Sequence, residues 1–120
     1  LDLVDDEGAC AESLSHVLQL CGVQGIPRNG IPSTITLFEF LSSSEQFIKV
    51  ETPLPGDVII TVTGTGNGKL ANGHCGVVGV VNVMNNDSNT GIWVASYTLP
   101  QWDKRYREYG GMATNYFRMI

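Results

Sequence analysis

The sequence predicts an α+β fold in which N-terminal helices pack on an antiparallel sheet. Three observations carry this. An apolar stripe of helical period occupies the start of the chain, β-branched runs bounded by turn residues fill the second half, and the helices come before the strands. The 120 residues are 42% hydrophobic and 16% charged, which bounds the chain to one domain, 1–120, with a core large enough to fold without disulfides or a structural metal.

Cys10, Leu14, Val17, Leu18 and Cys21 fall at i, i+4, i+7, i+8 and i+11, one face of a helix. Asp5, Asp6 and Glu7 stand ahead of that stripe, where acidic groups favour a helix N-terminus, so Cys10 is expected in the first turn. Gly22 supplies the stop. Residues 25–32 read as a loop. Ser33 is the expected N-cap of a second helix reaching Leu41, and Phe47 to Val50 reads as a short strand. Pro55-Gly56-Asp57 is a turn signal, and the β-branched run Val58 to Thr63 follows it as a strand. Gly64 to Gly73 reads as a flexible loop. His74 to Val83 then reads as one long central strand, apolar on both faces, and Asn85 to Thr90 as a polar turn. Ile92 to Thr98 and Tyr116 to Ile120 complete the expected meander.

Charge and composition exclude several function classes. The formal charge is −5, and the only basic cluster, Lys104, Arg105 and Arg107, reads as a solvated face, so no nucleic-acid partner is expected. No apolar run is long enough for a membrane span. Three cysteines exclude a complete disulfide framework, and without a CxxC motif no structural zinc is expected. The chain begins at Leu1 rather than Met, which predicts excision from a longer precursor with additional domains upstream.

The search for chemistry is narrow because His16 and His74 are the two histidines that could serve as a neutral-pH base. A helix N-terminus lowers a thiol pKa and favours the nucleophilic thiolate, which makes Cys10 a candidate nucleophile; as a member of the apolar stripe it is equally a candidate core residue. Six residues of helix, about 600° of rotation and about 9 Å of rise, separate His16 from Cys10, so His16 belongs on the surface. His74 opens the central strand, where a base could meet a helix N-terminus; the alternative is a hydrogen-bonded structural histidine. Successive strand residues face opposite ways, so Cys75 is expected in the core and away from any site of His74, and Cys21 is expected in the core as well. Trp93, Tyr97 and Trp102 read as core aromatics that could otherwise line a groove.

Gly8-Ala9-Cys10-Ala11-Glu12, Leu54-Pro55-Gly56-Asp57-Val58 and Gly73-His74-Cys75-Gly76-Val77-Val78 together resemble the NlpC/P60 and CHAP branch of papain-like cysteine hydrolases, and Tyr116-Phe117-Arg118 resembles the close of phage-type CHAP domains. Ala9-Cys10-Ala11 replaces the Asp-Cys-Ser common in NlpC/P60 members, which favours the CHAP side. The resemblance implies a papain-like fold, Cys10 as nucleophile, His74 as base, no cofactor and no catalytic metal. It implies bacterial peptidoglycan as substrate, cut as an endopeptidase or as an N-acetylmuramoyl-L-alanine amidase, in a secreted, periplasmic or phage-associated setting. The family also carries a polar residue on the next strand that orients the histidine. Alignment on Ile92 to Ser96 puts Val94 there, which cannot do that work. Ser96, on the same strand face, is the favoured substitute; Thr98 is the other, since pairing about a turn near Asp87 would bring it beside Gly76. Some CHAP domains bind calcium near the nucleophile, and Asp2, Asp5, Asp6 and Glu7 offer oxygen ligands, but the favoured reading of them is a solvated helix start. The rival class is a catalytically degenerate wall-binding or phage structural module, supported by Val94.

Overall fold

A computed structural model describes the backbone of residues 2–68, 70–87 and 92–120, and the side chains within those ranges from Cys10 onward. Two helices, α1 (Asp2–Leu20) and α2 (Thr34–Ser43), precede a sheet of β1 (Phe47–Val50), β2 (Val58–Thr61), β3 (His74–Val78), β4 (Val83–Asn86), β5 (Trp93–Tyr97) and β6 (Thr114–Met119). Between β5 and β6 lies a third helix, α3 (Leu99–Asp103), continued by a π-helical segment, Lys104–Tyr109. The strands form one sheet in the order β1-β6-β2-β3-β4-β5, with every pairing antiparallel. The architecture is α+β. It is not a simple meander, because β6 returns to lie between β1 and β2. Among the described residues no helix is long and apolar enough to cross a membrane.

The two faces of the sheet bury separate apolar layers. On one, Leu14 and Leu18 of α1 and Leu37 and Leu41 of α2 pack against Val58, Ile60, Cys75 and Phe117. On the other, Trp102 and Tyr106 cover Ile59, Val78 and Val83. Burying each large aliphatic side chain contributes about 1.5–3 kcal/mol, so both layers hold the sheet. Ser33 caps α2 as expected, its Oγ accepting from Thr36 N at 3.1 Å. The Pro55-Gly56-Asp57 turn also forms, with Gly56 at φ +96 and Leu54 N donating to Asp57 Oδ2 at 2.7 Å.

Four expectations change. Helix α1 begins at Asp2, not beside Cys10, because the acidic segment and Gly8-Ala9 join the helix; a glycine there costs only about 1 kcal/mol. Cys10 therefore sits inside the helix, and its N–H belongs to the helical ladder. The run His74 to Val83 is a hairpin rather than one strand: Gly79 N bonds Asn82 O at 3.0 Å, and Val80 and Val81 stand exposed at its tip. Asn85, expected in a turn, lies in β4, whereas the turn's remaining residues 88–91 fall outside the described ones. The segment holding the basic cluster, expected as a plain solvated face, is helical and contributes Tyr106 to the core.

Candidate active site

Backbone geometry fixes His74 first. A Cβ at Gly73 would lie 1.9 Å from Thr61 O, so only glycine lets the chain pass this close to β2. The Gly73 N–H donates to Thr63 Oγ1 at 2.8 Å, which anchors the residue before the histidine. The imidazole is 6% exposed. It stacks on Trp102, with centroids 5.4 Å apart and planes 23° apart, and on Tyr106 at 6.3 Å. Trp102 is held in turn, its Nε1 donating to Thr61 Oγ1 at 3.0 Å.

The opposite edge of the ring meets Asn85. His74 Nε2 lies 2.9 Å from Asn85 Oδ1. In the register Gly76 stands directly across from Asn85, and a Cβ at Gly76 would lie 3.1 Å from Asn85 Cβ and 2.4 Å from Met84 O. Glycine two residues after the histidine therefore clears the path by which Asn85 reaches it. The amide's orientation follows from its other contacts. Nδ2 faces only acceptors, Val83 O at 3.3 Å, Val94 O at 3.4 Å and Ser96 Oγ at 3.2 Å. Oδ1 must then be the atom facing the ring, and Nε2 must donate. A neutral His74 is thereby held with Nε2 protonated and Nδ1 bare.

Nδ1 is the nitrogen left for Cys10, and the thiol and the imidazole are hydrogen-bonded. Cys10 meets a second neighbour, since the thiol and the backbone N–H of Cys75 both donate to its sulfur. The Cys75 thiol, as the larger influence, together with the charge and hydrogen bond of His74, outweighs burial and lowers the Cys10 pKa from 9.0 to about 5. Burial pulls His74 down, but its contacts with the Cys10 thiolate and with Asn85 exceed that, so its pKa lies above 6.5. Both shifts favour the charged pair, a thiolate beside an imidazolium.

Sequence reasoning paired Cys10 with His74, and the fold brings them together. The third residue differs. Asn85, not Ser96, bears on the imidazole, and Ser96 stands one step behind it as an acceptor for the Asn85 amide. Thr98 is the N-cap of α3, because β4 intervenes between β3 and β5. Cys75 is buried as expected, yet its thiol meets the Cys10 sulfur instead of avoiding it. Cys21 is exposed rather than in the core, since α1 ends at Leu20 and Cys21 lies in the turn beyond. His16 is half-buried and bonds Gln19 Oε1 through Nδ1 at 2.8 Å. Trp102 is core, but core that carries the imidazole. The side chains of Asp2, Asp5, Asp6 and Glu7 lie outside those described.

No family model matches the chain, and no curated protein matches it. Among solved structures it is similar to a chain of the type VI native effector–immunity complex Tae3–Tai3 from Ralstonia pickettii. The superposition covers 99% of this chain and 98% of that one, with a TM-score of 0.60 and 17% sequence identity. The two chains share a fold over essentially their whole length.

Proposed function

We propose that the protein is a cysteine-dependent peptidoglycan hydrolase that cleaves an amide or peptide bond, as an endopeptidase or as an N-acetylmuramoyl-L-alanine amidase, on a papain-like fold. The single observation that carries the reading is the Cys10–His74–Asn85 relay, in which a thiol meets one ring nitrogen and an amide carbonyl holds the other. The wall as substrate rests on the family resemblance of the three sequence motifs. The fold shared with a chain of an effector–immunity complex favours an interbacterial setting over a phage one.

In the proposed reaction the Cys10 thiolate attacks the carbonyl carbon and a C–S bond forms. His74 Nδ1–H gives its proton to the leaving nitrogen as the C–N bond breaks. Water then attacks the thioester, giving its proton back to His74, and the acid leaves with Cys10 restored. Asn85 keeps the ring in the orientation that serves both transfers. Cys10 is 0% exposed, so the reaction requires an opening motion that admits substrate to the sulfur.

That enclosure favours one rival, a wall-binding module without turnover. Incubating purified sacculi with the protein, then with Cys10→Ala and His74→Ala, separates the two. Release of peptides with new amino termini, or of peptide-free glycan, by the wild type and by neither variant is the expected result. Binding without release, or release by folded Cys10→Ala, would overturn the hydrolase reading.

A further inference from the structure

Tyr106, which stacks on His74, also lines a pocket of about 390 Å³ together with Ala71, Asn72, Arg105, Tyr109 and Met112. The volume is at the lower end of the range for small-ligand sites and suits one or two residues of a peptide. The pocket adjoins the site, because Tyr106 is common to both and Asn72 lies two residues before His74. Two chemical features converge in it. The Arg105 guanidinium lies over the Tyr106 ring, 5.5 Å from its centroid, and donates to the Tyr106 hydroxyl. The ion pairs among the described residues are Asp57–Arg118 and Asp103–Arg107, so no carboxylate there neutralises Arg105. Tyr109 and Met112 add apolar walls.

We infer that this pocket is a specificity subsite for an acidic peptide, in which Arg105 pairs with a free carboxylate of the substrate. The inference rests on the hydrolase reading and names its substrate class. A planar guanidinium takes a carboxylate through two parallel hydrogen bonds, and with Tyr106 beneath it the Arg105 group is already oriented. Occupancy would also reach the catalytic pair. The Arg105 charge opposes protonation of His74, and a bound carboxylate would offset it.

The test compares a synthetic acidic wall-stem tetrapeptide with the same peptide amidated at its carboxylates. Binding is read on the Cys10→Ala chain and turnover on the wild type. The free acid is expected to bind at least tenfold more tightly than the amide. Arg105→Gln should reduce that ratio to about one, and Arg105→Lys should restore part of it. A purely structural role for Arg105 would weaken both peptides equally and would overturn the inference, as would equal binding of the two peptides by Cys10→Ala. Should Arg105→Gln fail to fold, amide NMR shifts of the Cys10→Ala chain titrated with the free acid must centre on Ala71, Asn72, Arg105 and Tyr109; shifts centred elsewhere overturn it too. Equal turnover of the two peptides removes the subsite and keeps the hydrolase. Selective binding of the free acid without any turnover removes the hydrolase and keeps the subsite.

Discussion

Cys10 owes its acidity to neighbours rather than to a helix end. A thiol in the first turn draws on the helix dipole, but here the helix starts eight residues earlier and the donors are Cys75 and His74. Alkylation of Cys10 by iodoacetamide should therefore rise through a midpoint near pH 5, the value of its lowered pKa. Cys75→Ala should move that midpoint to higher pH, whereas Cys75→Ser, which keeps a donor, should hold it lower; equal midpoints would contradict the contact. Because the thiolate forms above about pH 5 and His74 keeps its proton to beyond 6.5, kcat/KM should climb across the first and fall above the second. Asn85→Ala frees the imidazole to take either tautomer, and kcat should drop about 100-fold, in the range typical of a lost acid–base contribution. Ser96→Ala removes one of three acceptors from the Asn85 amide and should cost only a few-fold. The sequence made Cys10 and His74 legible because thiols and imidazoles are scarce in it. Asn85 was not legible, because asparagine is depleted in strands and enriched in turns, and Asn85-Asn86-Asp87 has the composition of a turn.

The decisive element is the hairpin of β3 and β4. Val77, Val78, Val80, Val81 and Val83 read as one uninterrupted strand, and only Gly79 and Asn82 mark the reversal. Missing that turn displaced the search for the third residue by a whole strand, onto β5. The glycine of the His-x-Gly motif carried the missing information, since a bare position opposite β4 is what admits a cross-strand side chain. Gly76→Ala should consequently act twice. The added methyl meets the Met84 carbonyl and should destabilise the fold by about 2 kcal/mol or more, read from urea unfolding. It should also lower kcat in the protein that remains folded, because Asn85 is pushed off the ring. Helix α2 and strands β1, β2 and β6 were legible to within a few residues, since capping, turn and β-branched signals agree in each. Helix α3 and its π-helical continuation were not, because Thr98, the capping residue of α3, sits in a β-branched context and only one and a half turns follow before the helix changes period.

At the scale of the molecule, the last strand is inserted between β1 and β2. Arg118 of β6 forks onto Asp57, with Nε at 2.9 Å from Oδ1 and an Nη at 2.8 Å from Oδ2. The fork ties β6 to the turn that opens β2. The Arg118 guanidinium and, after it, the Leu54 N–H hold the Asp57 carboxyl below 3.8 against the opposing effect of burial. A depressed carboxylate pKa stabilises the fold above the unfolded value, and that stabilisation disappears as pH falls through the folded value. Arg118→Met should cost about 3 kcal/mol at neutral pH, because it leaves a buried carboxylate unpaired. It should also flatten the loss of stability below pH 4; an unchanged acid slope would show that the pair is not its source. The order of the sheet lay beyond the sequence, for strand propensity says nothing of which neighbour a strand selects. The Asp57–Arg118 pair joins positions 61 residues apart because β6 lies beside β2.

The loop after β2 and the chain before β6 are locked together: Gly66 lies against Gly111 so closely that a Cβ would fall 1.9 Å from its carbonyl oxygen, and the Asn67 amide donates to Tyr109 O. Two walls of the cleft beside the imidazole thus share a single bolt. A guest pressing on either wall is resisted by both, so the cleft behaves as a mould cast before its contents arrive. Binding there would spend little energy on reshaping the cleft.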